Sequence, residues 1–294
     1  MAHDTDVLVD AQWLEDRLDA AAADDSALRV LEIESPNPPD DDFPSRYDEG
    51  HVPGAIGLRW DRDLSDDVQR DVLTKADFEE LLGENGITED STVVLYGDGH
   101  IPNWFAVFAY WEFRYYGHED VRVLDGGKDY WVEAGYELTT AEPEVTPVEY
   151  TASGPHEPLR AYAGDVERAQ SRDLPLVDVR SPEEFTGELI APEGLRETAQ
   201  RGGHIPGASN VPVRENLRED GRFKSAADLE ALYADHGIEG SEPVITYCRV
   251  GERSAIAWFV LQELLGYDSV TNYDGSWTEW GNRIGAPIAT GGAD

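Results

Sequence analysis

The chain holds one cysteine, Cys248, in 294 residues. No internal disulfide can form, which suits a reducing compartment. Lysine is scarce: Lys75, Lys128 and Lys224 are the whole set, and the other basic residues are arginine. Basic charge is low altogether, with 23 Lys and Arg against 61 Asp and Glu, for a formal net charge of −38. Binding a polyanion needs a basic surface, so the balance argues against nucleic acid or an anionic membrane as the main partner. Long apolar runs are missing too. Ala255 to Leu261, for example, falls far short of the roughly 20 residues that span a bilayer. The opening MAHDTDVLVD has neither the basic stretch nor the apolar segment of a secretory signal. A cytoplasmic protein is expected. The seven histidines are scattered without ligand spacing and one thiol cannot build a cluster, so no metal is expected. No other cofactor is expected either: Gly97-Asp98-Gly99 lacks the third glycine of a dinucleotide loop.

The acidic residues are spread through periodic apolar sequence rather than gathered in a tail. Self-repulsion at this charge destabilises a compact state in dilute buffer, and salt screens it. The composition reads as adaptation to high internal salt; the plainer alternative is an acidic protein of ordinary surroundings.

What is present is one pattern written twice. GHVPGAIG at 50–57 returns as GHIPGASN at 203–210, and FEELLGENGI at 78–87 as LEALYADHGI at 229–238. VVLYG ending at Gly97 returns as VITYC ending at Cys248, and DGGKDYW at 125–131 as DGSWTEW at 274–280. The order is kept and the offset stays near 150 residues, too long for a solenoid unit of about 20–50 residues. The boundaries expected are an N-terminal domain over 1–138, a linker over 139–158 with four prolines and no apolar periodicity, and a C-terminal domain over 159–294.

Within the second copy, strands are expected over 175–180, 210–213 and 243–247, the middle one weakened by its proline. Helices are expected from the Ser-Pro-Glu-Glu start at Ser181, over 226–236, and over 254–265. In the first copy Trp104 to Tyr116 is the matching apolar helix. Strands alternating with helices predict an α/β fold, each domain a mainly parallel sheet with helices on both faces.

The chemistry concentrates in Tyr247-Cys248-Arg249-Val250-Gly251-Glu252-Arg253-Ser254, between a strand end and a helix start. Such ends of α/β sheets collect ligand sites. A cysteine just ahead of a helix meets unpaired amides and the positive end of the helix dipole, and Arg249 and Arg253 add cations, so thiolate is favoured over thiol. Gly251 lets the loop curl and its amides converge on an anion. A lone cysteine is also commonly a small buried hydrophobe, and arginines are commonly surface charges. The combination within eight residues favours a nucleophile, provided that the thiol is not packed away from solvent. The first copy has Gly97-Asp98-Gly99-His100 in place of the cysteine.

The repeated GH(V/I)PGA, the LVDVR strand and the strand–CRVGERS–helix unit resemble the tandem rhodaneses, or thiosulfate sulfurtransferases, over nearly the whole chain. The resemblance implies a rhodanese-like fold in each half, a catalytic C-terminal copy, an inactive N-terminal copy, and a persulfide on Cys248. It implies a small-molecule sulfur donor and a thiophilic acceptor, cyanide, a thiol or a protein. The amides of Arg249, Val250, Gly251, Glu252, Arg253 and Ser254 are then expected to hold the persulfide and the substrate oxyanion, with the Arg249 and Arg253 side chains orienting the thiosulfate dianion. Asp178 is expected as a structural acceptor, and Arg180 as either substrate-facing or paired. Their first-copy equivalents are Glu32 and Glu34. Some long family members carry a further substrate-binding arginine where this chain has Glu183-Glu184. His204 and His51 occupy the same turn in both copies, which favours structural support. Trp277 and Trp280 read as packing aromatics.

Three rivals stand beside this reading. Cysteine-dependent phosphatases resemble Cys-x5-Arg, whereas Cys248 to Arg253 leaves four residues between. Mercaptopyruvate sulfurtransferases carry uncharged residues beside the cysteine, where this chain has Arg249. A non-catalytic sulfur-carrier or regulatory module is the third.

Overall fold

The computed structural model describes residues 7–19, 27–34, 46–66, 70–97, 99, 101–192 and 198–292. Asp98 and His100 of the first-copy loop lie outside them. The chain divides into two units: one runs up to His156 and takes in Glu219–Phe223, and the other comprises Glu157–Arg218 and Lys224 onward.

In the first unit, β1 (Leu8–Val9), β2 (Leu28–Glu34), β3 (Ala55–Arg59), β4 (Thr92–Gly97) and β5 (Val121–Leu124) form one sheet in the order β1-β5-β4-β2-β3. In the second, β6 (Arg160–Ala161), β7 (Leu176–Asp178), β8 (Ala208–Asn210), β9 (Val244–Tyr247) and β10 (Val270–Tyr273) repeat it as β6-β10-β9-β7-β8. Every pairing is parallel. Successive residues of a strand face opposite sides. Val94 and Tyr96 of β4 therefore join a core with Leu14 and Trp131, while Val93 and Leu95, also buried, face the other way. Both faces are covered, as an apolar, unalternating strand requires.

The expected elements form with shifts that have physical causes. The Ser181 start makes a helix over Pro182–Thr186: Ser181 accepts the Glu184 N–H at 3.2 Å and the Glu184 carboxylate accepts the Ser181 N–H at 3.2 Å. The strand expected over 210–213 lies earlier, at Ala208–Asn210. Pro212 has no N–H for the ladder, so only Val211 and Val213 donate, to the carbonyls of Asp178 and Val179. The helix expected over 254–265 starts at Glu252, runs to Phe259 and passes into a π turn over Val260–Leu264. The proline-rich stretch holds no helix or strand over 139–156. It is tied to the first unit by Thr139 on His51, Val148 on Gly83, and Gly154 and His156 on the end of the helix Trp104–Tyr115.

Candidate active site

β9 ends at Tyr247, and four residues later Gly251 opens the helix Glu252–Phe259, in which every residue is buried. Gly251 sits at φ 96°, a conformation open to glycine and strained for other residues. A Cβ there would stand 2.7 Å from Asp274 Oδ1 and 2.8 Å from the Asp274 carbonyl oxygen. The turn therefore demands glycine twice over. It brings the Gly251 N–H to 3.2 Å from Cys248 Sγ.

Neighbouring strands hold the loop from outside. Ser276 Oγ accepts the Cys248 N–H at 3.1 Å and donates to the Tyr273 carbonyl at 2.6 Å. The carbonyls of Cys248 and Arg249 accept the N–H groups of Trp277 and Thr278. The Gly251 carbonyl accepts Asn272 Nδ2 at 3.0 Å, and the single Ser254 hydroxyl proton is shared between the Gly251 carbonyl at 2.9 Å and Asn272 Oδ1 at 2.6 Å. In a planar trans peptide the C=O and the next N–H point opposite ways. Fixing the carbonyls of 248, 249 and 251 on that wall turns the amides of Arg249, Val250 and Glu252 away from it. Ser276 and Asn272 carry no motif of their own, so nothing in their local sequence points to this role. The repeated DGSWTEW segment marked the place without the task.

Cys248 has no exposed surface (0%). This corrects the expectation of a thiol within reach of solvent; its sequence neighbours Tyr247, Val250 and Glu252 are buried as well. Arg249 is half-buried, and Arg253 and Ser254 are buried.

Arg253 has a protein partner that its own sequence does not announce. Its fork, assigned to the donor, is filled by Glu184: Nη1 donates to Oε2 and Nη2 to Oε1, each at 3.0 Å. Burial works against the guanidinium's charge, but the Glu184 hydrogen bonds and the nearby Cys248 sulfur outweigh it, and the Arg253 pKa is raised. Burial likewise opposes the Glu184 carboxylate, and the Arg253 bonds and charge, the Ser181 amide and Arg180 hold it below the usual range.

Asp178 and Arg180 are both fully buried and face each other, with Arg180 Nε on both carboxylate oxygens at 3.0 and 3.1 Å and Nη2 on Oδ2 at 2.6 Å. Nη2 also donates to the Gly203 carbonyl at 2.7 Å. The guanidinium lies 4.6 Å over the Trp277 ring and 5.9 Å over that of Tyr247. Burial opposes its charge, Asp178 more than offsets this, and its pKa is raised. His204 stacks on Phe185 at 3.6 Å, and its Nδ1 meets the Phe185 carbonyl at 2.8 Å, steadying the helix that presents Glu184. Trp277 and Trp280 are buried in the second unit's core. The structure thus gathers Cys248, Gly251, Arg253, Glu184, Asp178 and Arg180 about one loop, and sets His204 one layer behind.

Among the described residues, no group of three or more His, Cys, Asp and Glu is placed to hold a metal, and no helix is long and apolar enough to cross a membrane.

Comparisons with known proteins agree with this architecture. A protein of Haloferax volcanii provisionally named a thiosulfate sulfurtransferase is 58% identical over 286 residues, 97% of each chain. The sulfur carrier protein TtuD of Thermus thermophilus is 46% identical over 291 residues, again 97% of each. A solved structure of EanB, in a cysteine-persulfide tetrahedral intermediate state with ergothioneine, matches at a TM-score of 0.83 and 28% identity, over 97% of this chain and 71% of that one. The rhodanese-like domain model matches twice, over residues 10–134 and 163–283, and the chain belongs to the rhodanese family as a pair of such domains.

Proposed function

We propose that the protein is a sulfurtransferase that moves the sulfane sulfur of thiosulfate to cyanide or a thiol through a persulfide on Cys248. One observation carries the reading: a single sulfur lies at the start of a buried helix with the Gly251 N–H 3.2 Å from it. A helix start and an inward amide stabilise negative charge on sulfur, in the thiolate and again in the persulfide anion.

In the first half-reaction the Cys248 thiolate attacks the outer sulfur of thiosulfate. A new S–S bond forms, the old one breaks, and its electron pair leaves on sulfite. In the second, the acceptor takes the outer sulfur and the thiolate returns. Splitting the transfer this way predicts ping-pong kinetics. The amides of Arg249, Val250, Glu252, Arg253 and Ser254 complete the cradle, with Arg249 at its half-buried edge. Asp178, Arg180 and His204 act by holding strand, turn and loop together. Because the thiol is covered, the donor enters on an opening of the loop or its cover. Intact mass after thiosulfate treatment is the test. A gain of one sulfur that cyanide removes and Cys248→Ser abolishes is expected; a loaded Cys248→Ser protein rejects the assignment.

The 46% identity to a protein named as a sulfur carrier favours a protein among the acceptors. The same persulfide would then pass its outer sulfur to a partner's thiol rather than to cyanide, the Cys248 thiolate leaving as in the second half-reaction.

A further inference from the structure

Each buried guanidinium near the cysteine loop is matched by a carboxylate in contact with it. Arg180 has Asp178 and Arg253 has Glu184. Arg160 has Asp274 at 2.5 Å, and the Asp274 carboxylate lies directly against Gly251. The loop's arginines suggest a strongly positive cradle; the folded site largely cancels that charge from within. The molecule's net charge of −38 adds a repulsion that grows with the charge of the incoming ion.

Glu184 is the decisive member. Its position is built: the cap with Ser181 fixes the first turn, Pro182 follows, and Phe185 is stacked on His204. The carboxylate meets Arg253 through two bonds at 3.0 Å, 69 residues apart in sequence. Both groups are nearly dry, with side-chain exposures of 11% for Arg253 and 1% for Glu184. A bidentate pair of this kind uses the face of the guanidinium that would otherwise grip an oxyanion.

We propose that Glu184 determines donor specificity: by holding Arg253 it takes one of the loop's two arginine cations away from the donor, and tilts the site from doubly charged thiosulfate towards sulfane donors with a single negative charge. The proposal rests on the sulfurtransferase reading of Cys248. Chemically the two donor classes load the same residue. Thiosulfate gives the persulfide and sulfite; a thiosulfonate, RSO2S⁻, gives the same persulfide and a sulfinate, with the same S–S bond made and the same kind of bond broken.

The test compares single-turnover loading of the full chain by thiosulfate and by methanethiosulfonate at one ionic strength, read by intact mass. Glu184→Gln keeps the length and the acceptor for Ser181 while removing the charge. It should raise the preference for thiosulfate over methanethiosulfonate about tenfold, through tighter apparent binding of the dianion. An unchanged or lowered preference in folded Glu184→Gln protein overturns the proposal. Should that variant not fold, a crystal structure of Cys248→Ser with thiosulfate decides: Arg253 still on Glu184 supports the assignment, and Arg253 turned onto the sulfonate oxygens overturns it. Failure of both donors to load the unaltered protein would sink the sulfurtransferase reading itself, a separate result.

Discussion

From Cys248 to the left-handed residue that opens its helix is three positions; from Gly97 to the corresponding Asn103 is six. The two copies share their sheet order and part company at this crossing. In the first copy the Asn103 side chain fills the space beneath the strand end, accepting the Gly97 N–H at 3.0 Å and donating to the Leu124 carbonyl at 2.6 Å. The second closes the shorter crossing with backbone and with Ser276, whose φ of 49° matches the 63° of Gly127 at the same place in the repeat. A non-glycine residue there is strained. Its hydroxyl, holding the Cys248 N–H, is the compensation.

Behind the loops the copies agree in a way that assigns duties. Tyr247 and Tyr96 each accept the backbone N–H of the GHxPG turn, from Ile205 at 3.1 Å and Val52 at 3.0 Å. Tyr96 donates to Glu32 at 2.5 Å, and burial, with Glu32 adding, raises its pKa well above the ordinary value. Tyr247 has Asp178 in the same role, its pKa also raised, first by burial. The cation differs. Arg180 comes from the strand end, with Trp277 packed under it, whereas in the first copy Lys128, at the position of Trp277, reaches Glu32 at 2.6 Å. A tyrosine–carboxylate–cation trio persists in the copy without a cysteine. That supports a structural duty for Asp178 and Arg180.

The contrast can be broken at its sharpest point with Gly251→Ala. The new methyl meets Asp274 backbone that cannot yield, and the amide moves off Sγ; persulfide formation should fall by about a hundredfold, the scale of losing a preorganised donor. Single-turnover loading measures it, and a near-normal rate would show that the amide contributes little. Lys128→Met strikes the other copy. Buried Glu32 loses the Lys128 ammonium from its carboxylate, and urea unfolding should show a loss of about 3–5 kcal/mol. Ser276→Gly makes the second copy resemble the first: relieved strain and the lost hydrogen bond should nearly cancel within about 1 kcal/mol, while turnover drops several-fold. Raising KCl should lift the melting temperature by screening the net charge of −38, the smallest and most general effect. A flat melting curve against KCl would reject the high-salt reading.

The duplicated layout was legible because four segments recur in order, and the cysteine loop because strand, glycine, arginines and apolar helix are neighbours in sequence. Pairings were not. Glu184 finds Arg253 across 69 residues and Glu32 finds Lys128 across 96, without any period to announce them. Arg253 read alone looks like a hand held out to substrate; only the fold shows it already holding Glu184. The covered thiol was hidden for the same reason, since local sequence sets a loop's curl but not what closes over it.

The burial of Cys248 has a consequence for the protein at rest. Its sulfur is out of collision range of dissolved oxygen, stray reductants and free metal ions for as long as the fold stays shut around it. The rate at which the thiol is lost to oxidation is then set by how often the fold breathes at that point, more than by how reactive the sulfur is.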